Sequence, residues 1–373
     1  MKVPFNDLTR LEPEFLFAVR ASLERVLDRG WYVLGPETQA FEQSFARYCG
    51  VDHCVSVGSG TAALRTALAG MRIGPGSRVG TVANAGGYAT TAIRALGAHP
   101  VYFDVDPATL NLDPSVLGEE SVRSLDALVV THLYGRPVPM AEVLERVRPF
   151  GVPVVEDCAQ AHGLDVCGRR AGAWGDAGCF SFYPTKNLGA MGDGGAIVTS
   201  RSDLAVRFAS LRQYGWSSKY RVNLERGDNS RLDEMQAAIL SAGLPFLETW
   251  NDRRRWIARR YGEGLSGTLL TLPQKPDTED HVYHLYVIQS GSRDDLAAGL
   301  CVSGVSTAVH FPIADHRQPA WADSDVQGFS LPATEVACSA VLSLPCFPQL
   351  TDREVDEVIR AVRSILESGR DLV

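Results

Sequence analysis

The 373-residue sequence lacks any apolar run near the roughly 18 residues that a bilayer-spanning helix needs. Its first ten residues, MKVPFNDLTR, contain no apolar core of the kind found in secretory signals. The formal net charge is −8 with acidic and basic side chains interspersed, so the basic face required for nucleic-acid binding is missing as well. We therefore expect a cytoplasmic protein that binds neither membranes nor nucleic acid.

Metal-binding cysteine patterns are also missing. The eight cysteines form no CxxC pair and show no cysteine–histidine spacing suited to zinc. Buried free thiols are the simplest interpretation, since unpaired cysteine packs as a small apolar side chain. We expect no metal site.

Short apolar segments, alternating with helix-like stretches such as TAALRTALAG, are what the sequence does contain. Segments of this kind are typical of buried strands, and they lie at residues 53–57, 77–82, 99–105, 126–134, 152–157, 178–182 and 195–200. The alternation predicts an α/β fold with a mostly parallel, helix-covered sheet.

A long helix is predicted to begin near Ser230. Ser230 and Asp233 resemble a capping box, and apolar residues recur after them at helical spacing. Because proline interrupts helical hydrogen bonding, Pro245 is expected to bend or end this helix.

The sequence pattern changes after Trp250. Short strand-like pieces follow, HVYHLYVIQ and VSTAVHF among them, and the chain closes with an amphipathic stretch, DREVDEVIRAVRSILES. We expect a large α/β domain at residues 1–250 and a smaller α+β domain at residues 251–373.

Three loops that follow strands carry candidate chemistry, because ligands of parallel sheets gather at the carboxyl ends of the strands. In VGSGTAAL (57–64) small residues lead from a strand into a helix, whose free N–H groups and dipole suit a phosphate. A simple tight turn would give the same pattern. The lysine of the GxxxxGK[ST] motif is absent, which excludes a nucleoside-triphosphate loop of that type.

The second and third loops supply a carboxylate and an amine. Asp157 follows a strand in VVEDCAQAHG, where a buried carboxylate would need a cationic or hydrogen-bonding partner; a helix cap is the alternative. SFYPTKNLGAMGDGGAIVTS (181–200) contains a single lysine, Lys186. A lysine becomes nucleophilic when its pKa is lowered or when it forms a Schiff base, although most lysines are solvated surface charges.

The combination of the three loops points to pyridoxal 5′-phosphate (PLP). That cofactor needs N–H donors for its phosphate, a carboxylate at its pyridine nitrogen and an amine for its aldehyde. The sequence offers all three in this order, with Lys186 lying 29 residues after Asp157.

The sequence resembles the DegT/DnrJ/EryC1/StrS family of PLP-dependent nucleotide-sugar aminotransferases over nearly its whole length. The resemblance rests on GWYVLGPETQAFEQSFARYCGVDHCVSVGSGTAAL, HLYGRP, VVEDCAQAHG, FSFYPTKNLGAMGDGGAIVT, NSRLDEMQAAIL and LSLPCFP. It implies the fold of the fold-type-I PLP-dependent transferases, a homodimer with shared active sites, and glutamate as the amino donor.

Carried over position by position, the resemblance implies a set of cofactor contacts. Lys186 would be the Schiff-base lysine and proton carrier, Asp157 would pair with the pyridine nitrogen, and Gln160 would approach the ring oxygen. The phosphate would be held by Gly60, Thr61 and Ser181 of one subunit and by Asn229 of the other. The family commonly has an aromatic residue where this sequence has Gly86, so Tyr88 is the expected stacking residue.

Substrate contacts are expected from residues near these motifs. The candidates, which would offer a nucleotide diphosphate positive charge or polar contacts, are Tyr183, Lys219, Arg221, His310 and Arg317.

The resemblance favours amination at C-3 of a thymidine-diphosphate 3-keto-6-deoxyhexose, and amination at C-4 of a 4-keto sugar is the alternative. Related sugar dehydratases carry histidine in place of the lysine, so Lys186 argues against that activity. A non-catalytic regulator that binds PLP or a nucleotide sugar is a third possibility.

Overall fold

The computed structural model of the chain describes residues 2–274, 281–321 and 328–370. Within them, a seven-stranded sheet has the order β1-β9-β8-β5-β4-β2-β3. Its strands are β1 (His53–Val57), β2 (Arg78–Val82), β3 (His99–Phe103), β4 (Ala127–Thr131), β5 (Val154–Asp157), β8 (Ala177–Ser181) and β9 (Gly195–Thr199). All seven segments predicted as strands from the sequence join this one sheet.

The sheet is parallel except at β9. Strands β3, β2, β4, β5 and β8 pair in parallel, whereas β9 pairs antiparallel with both β8 and β1. Neighbouring residues of β5 pack in different apolar cores: Val154 belongs to one cluster and Val155 to another. Because successive side chains point to opposite faces of a sheet, both faces are buried, as the prediction of a helix-covered parallel sheet requires.

Twelve α-helices accompany the strands in the described residues. They are α1 (Pro13–Arg29), α2 (Pro36–Cys49), α3 (Gly60–Gly70), α4 (Tyr88–Ala95), α5 (Glu119–Arg123), α6 (Met140–Val147), α7 (Ser202–Leu211), α8 (Glu234–Gly243), α9 (Leu247–Gly264), α10 (Arg293–Val302), α11 (Pro332–Ala340) and α12 (Asp352–Arg370). None of them combines the length and apolar character that crossing a bilayer would need.

A buried carboxylate on α8 caps the first turn of α2. Glu234 accepts hydrogen bonds from the backbone N–H groups of Gly35, Glu37 and Thr38, at 2.8, 2.9 and 2.8 Å. A negative charge at a helix N-terminus accepts hydrogen bonds from the free N–H groups and interacts favourably with the positive end of the helix dipole. The contact fixes α2 against α8 across about 200 residues of sequence.

The helix predicted to start near Ser230 begins later, at Glu234. The proposed capping pair does not form: Asp233 is the N-cap residue but accepts no side-chain capping bond, and the Ser230 hydroxyl accepts from the N–H of Gly58 at 3.0 Å. Pro245 acts as expected, because α8 ends at Gly243 and a 3₁₀ turn leads into α9.

A third apolar core lies in the C-terminal part of the chain. It joins α9, α10 and α12 to an antiparallel pair of strands, β12 (Tyr286–Gln289) and β13 (Val341–Leu344), and it also includes Val3 near the N-terminus. The final amphipathic helix is present as α12. Trp250 falls inside α9, and this helix packs both in the C-terminal core and in the core that contains Val154. The domain division between residues 250 and 251 therefore stays a prediction.

Two short hairpins complete the strands: β6 (Asp165–Val166) with β7 (Arg169–Arg170), and β10 (Trp216–Ser218) with β11 (Arg221–Val222). All eight cysteines are unpaired; six are buried as expected, whereas Cys167 and Cys301 are exposed.

Candidate active site

A cavity of about 410 Å³ lies where the carboxyl ends of the parallel strands meet the N-terminus of α3. The structure brings most of the residues expected at the site to its wall: Gly60, Thr61, Tyr88, Asp157, Gln160, Ser181, Tyr183, Lys186 and His310. These residues come from loops spread over 250 positions of sequence, so the sheet rather than sequence proximity assembles the site.

The start of α3 forms one end of the cavity. The Ser59 hydroxyl and carbonyl accept from the N–H groups of Ala62 and Ala63, at 3.1 and 2.9 Å. Among the described residues, the N–H groups of Gly60 and Thr61 have no such acceptor, so the helix presents two free donors to an anion.

Glycine is required at position 60 because β8 passes directly behind it. A Cβ atom there would lie 2.6 Å from Cβ and 3.1 Å from Cα of Ser181. The close approach places the Ser181 hydroxyl beside the helix start. Backbone donors and a hydroxyl therefore converge in the arrangement that a phosphate needs.

Asp157 ends β5 and is 5% exposed. Burial raises the pKa of its carboxyl, while a hydrogen bond from the N–H of Ala159 (3.0 Å) and the positive charge of Lys186 act in the opposite direction. A buried carboxylate in this state is stabilised by a cationic partner. A protonated pyridine nitrogen in the cavity would provide one.

Lys186 lies in the loop between β8 and β9, where its N–H donates to the carbonyl of Tyr183 at 2.8 Å. Burial lowers the pKa of its amine to about 8, and the carboxylate of Asp157 partly opposes that shift. The unprotonated amine, which a nucleophile and proton carrier requires, is consequently far more populated near neutral pH than in a solvated lysine.

Gln160 has a fixed amide orientation. Its Oε1 accepts from the N–H of Tyr134 at 2.5 Å, and a backbone N–H can only donate. The Nε2 group is thereby left as the donor that Gln160 can offer to an oxygen acceptor in the cavity. This agrees with the expected contact to a ring oxygen.

Tyr88 begins α4 and remains half exposed at the cavity wall. Its ring makes an edge contact with Phe311 at 6.0 Å between centroids. Gly86 has a φ of +79°, and a Cβ atom there would lie 2.8 Å from the Phe311 ring. Phe311 thus occupies the space next to Gly86, the position where the resemblance leads one to expect an aromatic residue. The stacking role of Tyr88 stays a prediction.

Four expected site residues do not line this cavity within the described chain. Asn229 is exposed and forms an isolated bridge with Gln213, five residues before α8 rather than at a helix start. Lys219 and Arg221 lie on the exposed β10–β11 hairpin. Arg317 pairs with Glu335 at 2.8 Å. The contacts expected from these four residues to cofactor or substrate therefore stay predictions.

The structure adds wall residues that the sequence reasoning missed, including Ser59, His284 and Phe311. Ser59 belongs to a motif already singled out and could have been recognised as the N-cap of α3. His284 and Phe311 come from the C-terminal part of the chain, and nothing in their local sequence indicates that they reach the cavity.

Beneath the site, His132, Glu156 and Cys158 are close enough together to suggest a metal centre. The carboxylate of Glu156, however, already accepts from the His132 ring and from the N–H groups of Gly172, Trp174 and Gly175. The other His132 nitrogen accepts from the N–H of Val138 at 3.1 Å. The cluster is a satisfied hydrogen-bond network that supports β5.

Comparison with known proteins identifies the class. The profile of the DegT/DnrJ/EryC1/StrS aminotransferase family matches residues 18–363. The chain belongs to this family, and its fold is that of the PLP-dependent aminotransferases.

Individual members of the family are similar to this chain over nearly its whole length. The chain is 42% identical to dTDP-3-amino-3,4,6-trideoxy-alpha-D-glucose transaminase of Streptomyces venezuelae, over 98% of this chain and 97% of that protein. The crystal structure of S. venezuelae DesV in complex with a ketimine intermediate superposes with a TM-score of 0.93 at 43% identity, covering 98% of both chains. NtdA from Bacillus subtilis, solved with bound cofactor PMP, gives a TM-score of 0.91 at 31% identity, covering 98% of this chain and 85% of that one.

Proposed function

We propose that this protein is a PLP-dependent aminotransferase that moves an amino group from glutamate to the C-3 keto group of a nucleotide-linked deoxysugar. The observation that carries the proposal is the convergence of the free N–H groups of α3, the buried carboxylate of Asp157 and the amine of Lys186 on one cavity. Each matches one chemical requirement of PLP.

The residues present fit the cofactor. Gly60, Thr61 and Ser181 offer its phosphate donors, Asp157 offers its pyridine nitrogen a carboxylate, and Gln160 has a free amide donor for its ring oxygen. PLP, when bound, supplies an electron sink that makes a proton on the substrate carbon acidic.

Lys186 then has to take that proton and return it to a neighbouring atom. Its lowered pKa, about 8, suits both directions of transfer near neutral pH. Arginine could not replace it, because a guanidinium stays protonated under these conditions. Asp157 keeps positive charge at the pyridine nitrogen throughout and so maintains the sink.

Amination at C-3 rather than C-4 is supported by the transaminase of S. venezuelae, whose name places the amino group at position 3. The relatives named as transaminases support an enzyme rather than a purely regulatory protein. We therefore favour C-3 amination over C-4 amination and over a regulatory role.

The site is proposed to be completed by a second copy of the chain. Asn229, Lys219 and Arg221 are exposed and do not line their own cavity, which is compatible with their serving the partner's site. Exposed aromatic side chains, Trp31 and Tyr32 among them, would be covered in such a homodimer.

The cofactor proposal can be tested by absorbance. We expect the purified protein to bind PLP and turn yellow, and glutamate to discharge the colour with release of 2-oxoglutarate. Lys186→Ala should leave phosphate-mediated PLP binding in place but abolish the glutamate response. A protein that binds PLP yet leaves glutamate unchanged would exclude the aminotransferase and favour the regulator.

A further inference from the structure

His284 occupies a fixed position in the cavity wall, next to the residue that follows Lys186. Its Nδ1 atom lies 3.1 Å from Oδ1 of Asn187, and the histidine and the asparagine are 7% and 3% exposed. The proposed function gives neither side chain a role.

The orientation of the Asn187 amide is unambiguous. Its Nδ2 donates to the backbone carbonyl of Val282 at 3.0 Å and to Oδ1 of Asn251 at 2.8 Å. The Asn251 amide is fixed in turn, because its Nδ2 donates to the carbonyl of His162 at 2.9 Å. Oδ1 of Asn187 is therefore the atom that faces His284, and it can only accept.

This contact decides where the His284 ring carries its proton. Nδ1 must be the protonated nitrogen in order to donate to Asn187. Burial, and secondarily the charges of Lys186 and Arg254, hold the pKa of His284 well below its usual range, so the ring stays neutral. Nε2 is then an unprotonated nitrogen with a lone pair. Among the described residues no hydrogen bond engages it, and His284 is one of the residues that line the cavity.

A neutral acceptor beside Lys186 discriminates between the two proposed substrates. The carboxylates of glutamate only accept hydrogen bonds and gain nothing from the lone pair of Nε2, and its one ammonium group is the group that reacts. A sugar ring, by contrast, carries hydroxyl groups that donate. Resting on the proposed function, we propose that His284, held by Asn187 in the Nδ1–H form, accepts a hydrogen bond at Nε2 from a hydroxyl of the keto sugar and thereby helps select it.

Combining enzyme variants with substrate analogues tests the proposed hydrogen bond between His284 and a sugar hydroxyl. The holoenzyme would be assayed with a 3-keto nucleotide sugar and with analogues that each lack one ring hydroxyl. We expect one analogue to lose about tenfold in kcat/KM with the unmodified protein, the size expected for one hydrogen bond. With His284→Phe the same analogue should lose nothing further, whereas His284→Gln, which can place an acceptor near Nε2, should retain part of the preference.

Two controls separate selection from structural damage. In the absence of sugar each site converts one equivalent of glutamate, and in the His284 variants the rate of this single turnover should fall less than the rate of the sugar reaction, since no hydrogen bond to the donor is removed. His53→Phe makes the same change at a histidine outside the cavity, where the ring contacts Ser202, and should keep the full preference. Equal loss of the glutamate and sugar reactions in His284→Phe and His284→Gln would overturn the proposal, as would an unchanged preference in His284→Phe.

A measurement that needs no activity examines the tautomer itself. In ¹⁵N spectra of histidine-labelled protein, with the His284 signals assigned by their loss in His284→Gln, we expect Nδ1 protonated and Nε2 unprotonated. The opposite tautomer would overturn the assignment. If the unmodified enzyme consumes glutamate but aminates no keto sugar, the proposed function fails, whereas the tautomer result stands independently.

Discussion

At the scale of single residues, the chemistry depends on two buried groups that alter each other's proton affinity. Burial lowers the pKa of Lys186 and raises that of Asp157, and the attraction between their charges opposes both shifts. The sequence identified both residues, because a lysine and a carboxylate in loops after strands suggest PLP. It could not supply their pKa values, which depend on how the fold excludes water.

The pKa of Lys186 leads to a testable pH dependence. In the cofactor-free protein, the amine should become reactive toward an acylating reagent as the pH rises through about 8, because the unprotonated form predominates above its pKa. Asp157→Asn removes the carboxylate that raises this pKa, so its midpoint should lie at lower pH. Acylation of the Lys186 peptide, followed by mass spectrometry against pH, measures both.

A midpoint near 10.5, the ordinary value for lysine, would contradict the electrostatic account. The exposed Lys2 provides an internal reference in the same samples, since it does not line the cavity.

At the scale of elements, the predictable features were those determined by local sequence. Each strand of the seven-stranded sheet is a short segment rich in apolar residues, and all seven were recognised. The start of α8 was misplaced because the hydroxyl of Ser230 bonds to Gly58, 172 residues earlier in the chain. His284 was missed for the same reason, since its partner Asn187 lies 97 residues away. The pairing of Arg317 with Glu335 is likewise not revealed by its sequence neighbours, and its expected substrate contact stays a prediction.

The contact between α3 and β8 gives a prediction at this scale. Gly60→Ala would push a Cβ atom to 2.6 Å from Cβ of Ser181, so the helix start and the strand end must separate. We expect the free energy of unfolding to fall by about 1–3 kcal/mol and PLP to bind more weakly. Urea denaturation and a PLP titration of the cofactor-free protein measure the two effects.

Gly291→Ala is the matched control, because no atom lies within 4 Å of the added Cβ. Its effect on stability should be within about 0.5 kcal/mol. If Gly60→Ala behaves like this control in both measurements, the close packing of α3 on β8 does not shape the phosphate site.

At the scale of the whole molecule, the cavity is proposed to need a second chain. The sequence resemblance predicted this, and the structure describes one chain in which Asn229 is exposed and does not line the cavity. The arrangement of two chains in the proposed homodimer depends on which surface of one chain packs on the other, and a single sequence does not specify that.

Mixing inactive subunits tests the shared site. Lys186→Ala should remove the catalytic amine, and Asn229→Leu should remove a donor to the partner's phosphate. If the site is shared, heterodimers of the two variants should recover activity, because one of their two sites receives both intact residues. Differential tags would verify heterodimer formation. Heterodimers without activity above either parent would be incompatible with a shared site.

The central claim is that this chain places the glutamate nitrogen on C-3 of a nucleotide-linked keto sugar. The most direct measurement incubates the holoenzyme with ¹⁵N-glutamate and, in parallel reactions, the 3-keto and the 4-keto form of a thymidine-diphosphate 6-deoxyhexose, and then locates ¹⁵N in the sugar by NMR. We expect ¹⁵N bonded to C-3 with the 3-keto substrate and a far slower reaction with the 4-keto form. Label at C-4, or no label in either sugar from an enzyme that consumes glutamate, would contradict it.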